Sequence, residues 1–72
     1  MKKCEFIELN GKNFVQRPQS WIVGMGREQW FKQVAGIQTY VAHPEYWEKL
    51  KEEGEVKTLI EYFDGKWEIT SA

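Results

Sequence analysis

The residues that could do covalent chemistry are few. Cys4 is the only cysteine and His43 the only histidine of the 72 residues. Nucleophilic catalysis needs a nucleophile beside a base that a third group holds in place. His43 reads as the residue that opens a helix and Cys4 as part of a strand near the N-terminus, so no thiol catalysis is expected from the pair. A zinc site wants three or four Cys or His ligands, and this chain offers two at most. Carboxylates are plentiful, but none stands in an apolar cleft that the pattern marks out, and Glu52-Glu53 read as solvated helix surface. Gly24-Met25-Gly26 lacks the third glycine and the Lys-Ser/Thr ending of a phosphate loop and reads as a turn. The expectation is no catalytic residue, no metal, no cofactor and no enzymatic activity.

Size and composition narrow the setting. A chain of 72 residues is one domain and buries only roughly 60% of its unfolded surface. One cysteine cannot form an internal disulfide, so aromatic mass is the expected substitute: four Trp, three Tyr and four Phe. No run of about 18 apolar residues suggests a membrane span. MKKCEFIEL has two lysines but no apolar core, so it does not read as a signal peptide, and a single cysteine without an export signal fits a cytoplasmic setting. Charge is unevenly spread. Residues 1–24 hold four basic groups (Lys2, Lys3, Lys12, Arg17) against Glu5 and Glu8. Residues 45–72 hold four lysines against eight acids.

The elements that must position these groups follow from turns and periods. Asp64-Gly65 between two apolar-rich runs marks a hairpin over 55–70. A two-residue turn would pair Tyr62 with Trp67 and Ile60 with Ile69. It would set Val56, Thr58, Ile60, Tyr62, Trp67 and Ile69 on one core face, at the cost of Glu61 opposite Glu68. A three-residue turn would pair Tyr62 with Lys66 and Ile60 with Glu68; it mixes the faces and is the less favoured reading. Asn10-Gly11 marks a second hairpin over 3–17, pairing Leu9 with Lys12, Ile7 with Phe14 and Phe6 with Val15. Apolar residues then occupy both its faces, which suits a strand pair covered on both sides or one edge buried at an interface. Arg17-Pro18 ends that hairpin, and Trp21-Ile22-Val23 is a candidate short strand. Trp30/Val34 and Phe31/Ala35 at four-residue spacing predict a helix over 27–35 with Gly36 after it. Residues 36–42 alternate as a strand. Pro44 at the first helical position predicts a helix over 44–53, ended by Gly54.

The expected fold is therefore α+β, in the order ββαβαββ. Two short helices pack on one face of a mostly antiparallel sheet, over a core of Ile7, Phe14, Trp30, Val34, Ile37, Val41, Leu50, Ile60, Tyr62, Trp67 and Ile69. The favoured function is a small protein-binding module, of accessory or inhibitor type as short phage and mobile-element frames often encode. Its acidic segment 45–68 would face a basic partner, with Tyr46, Trp47, Glu48, Glu52, Glu53 and Phe63 as contacts. The plain alternative is that both aromatics of that helix face the sheet. A helix followed by a hairpin, 44–53 then 56–70, resembles in outline the recognition helix and wing of winged-helix proteins, and excisionase-like proteins have about this length. That resemblance implies DNA contact, for which a basic face could come only from Lys2, Lys3, Lys12, Arg17, Arg27 and Lys32. A helix with four glutamates and two lysines argues against it. Self-association is the remaining alternative.

Overall fold

The computed structural model describes residues 1–16 and 24–71. The sequence expectations for Arg17, Pro18 and the Trp21–Val23 strand lie outside them. The chain runs β1 (Lys2–Leu9), β2 (Lys12–Gln16), α1 (Arg27–Ala35), β3 (Thr39–Ala42), α2 (Pro44–Glu53), β4 (Glu55–Glu61) and β5 (Trp67–Ser71). The α+β class and the order ββαβαββ are those that turn and period signals predict. One five-stranded sheet has the spatial order β3-β2-β1-β4-β5, antiparallel throughout except for β2 and β3.

The first hairpin has the expected register, with Ile7 opposite Phe14 and Phe6 opposite Val15. Asn10 and Gly11 both take positive φ, 54° and 78°, as a two-residue type I′ turn requires. Both faces of this pair are covered. Phe6 and Val15 join Cys4, Leu59, Trp30 and Phe31 in one cluster under α1. Ile7 joins Ala42 and Trp47 in a second cluster under α2, with Phe14, Leu50 and Val56 packed against it. Neighbours in a strand point to opposite faces, so the two helices lie on opposite sides of the sheet. The expectation of both helices on one face is corrected here. The reason is topological. β2 to β3 and β3 to β4 are both crossovers between parallel strands, and they travel in opposite directions across the sheet. Crossovers share a right hand, and two crossovers of one hand running opposite ways must place their helices on opposite faces.

The expected register of the second hairpin is also corrected. Glu61 pairs with Trp67, Leu59 with Ile69 and Ile60 with Glu68. The loop is Phe63-Asp64-Gly65: Gly65 N–H donates to Tyr62 O at 3.0 Å and Tyr62 N–H donates to Lys66 O at 2.8 Å. Gly65 has φ 86°, which makes a turn followed by a glycine bulge. Asp64 Oδ1 accepts from Lys66 N–H at 3.1 Å and holds the loop. This register removes the Glu61–Glu68 opposition. Glu61 instead accepts from the Trp30 indole N–H at 3.1 Å, and Glu68 accepts from the Tyr62 hydroxyl at 2.6 Å. Tyr62 and Trp67 therefore stand on opposite faces.

The core shifts accordingly. Ile7 and Trp30 are buried as expected. Phe14, Val34, Ile37, Leu50 and Ile60 are only partly buried, and Val41, Tyr62, Trp67 and Ile69 are exposed. The interior is instead completed by Cys4, Phe6, Val15, Phe31, Ala42, Trp47 and Leu59. Phe31 sits edge-on between Phe6 and Trp30, with ring centres 5.2 and 5.1 Å away, a geometry the ring quadrupoles favour. Each fully buried side chain of this size contributes about 1.5–3 kcal/mol. Gly54, where α2 meets β4, is extended rather than left-handed. A Cβ there would stand 2.5 Å from Ile7 Cγ2 and 2.8 Å from Glu8 O, so glycine is needed for close approach.

Candidate functional site

Helix α2 sorts its two aromatics by a single step of helical phase. Trp47 is 2% exposed and belongs to the core; Tyr46 is 62% exposed. Successive residues are turned by about 100° on a helix, so a helix laid on the sheet can bury only one of the two deeply. Trp47 is therefore withdrawn from the expected contact set, and Tyr46 remains in it. The helix is fixed at its start by Pro44 and by His43, whose Nδ1 accepts the Glu45 N–H at 3.4 Å.

Tyr46 lines a groove of about 430 Å³ with Phe14, Val41, Ala42, His43 and Leu50. The groove exists because β3 is a sheet edge and α2 leaves that edge to cross toward β4. Phe14 is partly buried and rests against Tyr40 with ring centres 6.1 Å apart. α2 carries Glu45, Glu48, Glu52 and Glu53 against Lys49 and Lys51, all exposed. By helical spacing Lys49, Leu50 and Glu53 share the side of Tyr46, while Glu48 and Glu52 lie on the outer face.

Phe63 does not join this group. It is 94% exposed at the β4–β5 tip, and the length of β4 separates it from Glu52 and Glu53 by on the order of 25 Å. With Tyr62, Asp64, Lys66, Trp67 and Glu68 it lines a separate, shallow groove of about 640 Å³. Sequence reasoning missed Phe14, Val41, Ala42, His43 and Leu50 as groove residues. The one available signal was that Tyr46 and Trp47 cannot both share the Leu50 stripe.

The basic residues do not form one stripe. Lys2 and Lys3 are strand neighbours and face opposite ways. Lys12 lies at the other end of the β1–β2 hairpin, beside Leu9. Arg27 and Lys32 are on α1, where the Arg27 guanidinium reaches Gln16 O at 3.4 Å. Arg17 lies outside the described residues. Lys57 is paired with Glu8 at 2.8 Å. That hydrogen bond raises the Lys57 pKa against the opposing effect of lost water, and the charges of Glu8 and Glu55 add to the rise. Cys4 belongs to the α1-side cluster and His43 to the α2-side groove, so they share no surface. Among the described residues no three His, Cys, Asp or Glu side chains group as metal ligands, and no helix is long and apolar enough to cross a membrane.

No family model, curated protein or solved structure matches the chain, so the functional reading rests on the geometry.

Proposed function

We propose that this chain is a non-enzymatic protein-binding module, of accessory or inhibitor type. It takes an apolar side chain of its partner into the α2–β3 groove while the α2 carboxylates meet basic groups around it. One observation carries this reading: an apolar groove with the exposed Tyr46 at its lip, beside a helix with four glutamates and two lysines. An apolar anchor inside a polar rim is the usual anatomy of a specific interface, and a tyrosine is a favoured anchor. The scatter of the basic residues over both faces and both ends of the sheet weighs against phosphate contact along a duplex.

Photo-crosslinking tests the reading. A benzophenone amino acid is placed at Tyr46 and, as a control, at Lys12, and the protein is expressed in its source cell. The expected result is one covalent adduct of defined mass from position 46 and none from position 12. Glu53→Lys, on the groove side of α2, should reduce that adduct, and Glu48→Lys with Glu52→Lys, on the outer face, should reduce it less. An unchanged yield would remove the acidic rim from the proposal, and no adduct at position 46 would remove the groove.

A further inference from the structure

We infer that β5 is a dimerisation edge, which pairs antiparallel with β5 of a second copy of this chain. β5 closes one side of the sheet and holds no buried residue: Trp67, Glu68, Ile69 and Ser71 are exposed and Thr70 is partly buried. Edge strands are commonly protected by lysine, proline or a bulge within the strand. Here the bulge at Gly65 precedes the strand, and Trp67–Ser71 contains neither lysine nor proline.

The observed hairpin register fixes how two such edges would meet. Tyr62 and Lys66 form a hydrogen-bonded pair. Hydrogen-bonded and non-hydrogen-bonded pairs alternate in an antiparallel ladder, so Ile60–Glu68 and Thr58–Thr70 are bonded pairs too. The backbone groups of Trp67, Ile69 and Ser71 therefore point away from β4 toward the open edge. A two-fold axis must pair these outward residues with one another. Centred on Glu68, it would set two carboxylates face to face. Centred on Ile69, it pairs Ile69 with its own copy, Trp67 with Ser71 and Glu68 with Thr70 of the second copy. No like charges then oppose, and each Trp67 lies diagonal to the second copy's Ile69 on the same face.

Area sets the strength. Trp67 is 46% exposed and Ile69 38% exposed, which leaves on the order of 200 Å² of apolar surface per chain, taking roughly 150–250 Å² for a large side chain. The pair falls well short of the roughly 1,200 Å² of a tight interface, so the backbone ladder carries the association and the dimer depends on concentration. The resulting ten-stranded sheet holds its two α2–β3 grooves at opposite ends. This inference is independent of the groove's proposed role.

Sedimentation from about 10 μM to 1 mM is expected to show a mass rising toward twice 8.6 kDa. Thr70→Glu opposes Glu68 of the second copy twice across the axis and should weaken the dimer by about tenfold or more. Adding Glu68→Lys to Thr70→Glu creates two opposite-charge pairs and should restore it. Circular dichroism checks that each variant folds. A mass of 8.6 kDa throughout the range overturns the inference. Failure of the double variant to rescue overturns the register. Dispersal by Val41→Lys, with Thr70→Glu silent, overturns it in favour of the β3 edge.

Discussion

The two hairpins carry nearly the same turn, Asn10-Gly11-Lys12 and Asp64-Gly65-Lys66, and resolve it differently. In β1–β2 the asparagine takes φ 54° and the loop has two residues. In β4–β5 the aspartate is not among the positive-φ residues; its carboxylate holds the Lys66 N–H, and Phe63 is drawn into a three-residue loop. The surroundings differ as well. β1 is central, with helices on both faces, and its buried Cys4, Phe6 and Ile7 constrain the register by packing. β5 is an edge with no buried residue. Register there is decided by smaller terms: a like-charge pair avoided, a tyrosine–glutamate bond gained and an aspartate cap. Where packing is two-sided, turn letters and core demand agree. Where it is absent, polar side chains decide.

That contrast can be pressed hardest by removing the same side chain from each hairpin. Ile7→Ala, at a fully buried position, should cost about 2–5 kcal/mol, a large part of the stability of so small a domain. Ile69→Ala should cost under about 1 kcal/mol. Urea unfolding measures both, and equal losses would abolish the distinction. The turns come next. Asn10→Ala forces alanine into the left-handed region and should cost about 1–2 kcal/mol, whereas Asp64→Ala loses one hydrogen bond, about 0.5–1.5 kcal/mol. Deleting Phe63 should matter less still, because the ring is exposed and Tyr62 and Lys66 can flank a two-residue Asp-Gly loop without moving. Cross-strand Hα contacts between Glu61 and Trp67 in NMR spectra should survive the deletion; their loss would show that the third loop residue sets the register.

The mildest test is a titration. Tyr62 is held above its ordinary pKa of 10.0, first by its hydrogen bond to Glu68, then by lost water and by the Glu68 charge. Since the folded value is the higher one, this bond supports folding fully below the unfolded value and is lost as pH rises through the folded value. Absorbance of the phenolate should show one tyrosine titrating late, and Glu68→Gln should bring it back toward the ordinary value. No late tyrosine in the parent would place Tyr62 and Glu68 on opposite faces and return the hairpin to a two-residue turn.

Much of the fold was legible because it is coded locally. Asn10-Gly11 states its own backbone angles. Gly36 is left-handed at φ 67° and closes α1 where the apolar spacing ends, and Pro44 opens α2 at the predicted residue. The candidate site was legible only in Tyr46 and the α2 carboxylates. Its walls, Phe14, Val41 and Leu50, were read as core, since an apolar residue looks the same in sequence whether the sheet continues beside it or stops.

Sequence alone determined the seven elements of the described residues, their order and the β1–β2 register, since dihedral preferences and apolar periods act over a few residues. Tertiary structure decided which face each helix covers, which of Tyr46 and Trp47 turns inward, and how β5 meets β4. Those choices depend on the hand of crossovers and on partners distant in the chain, such as Trp30 for Glu61, which no local stretch encodes.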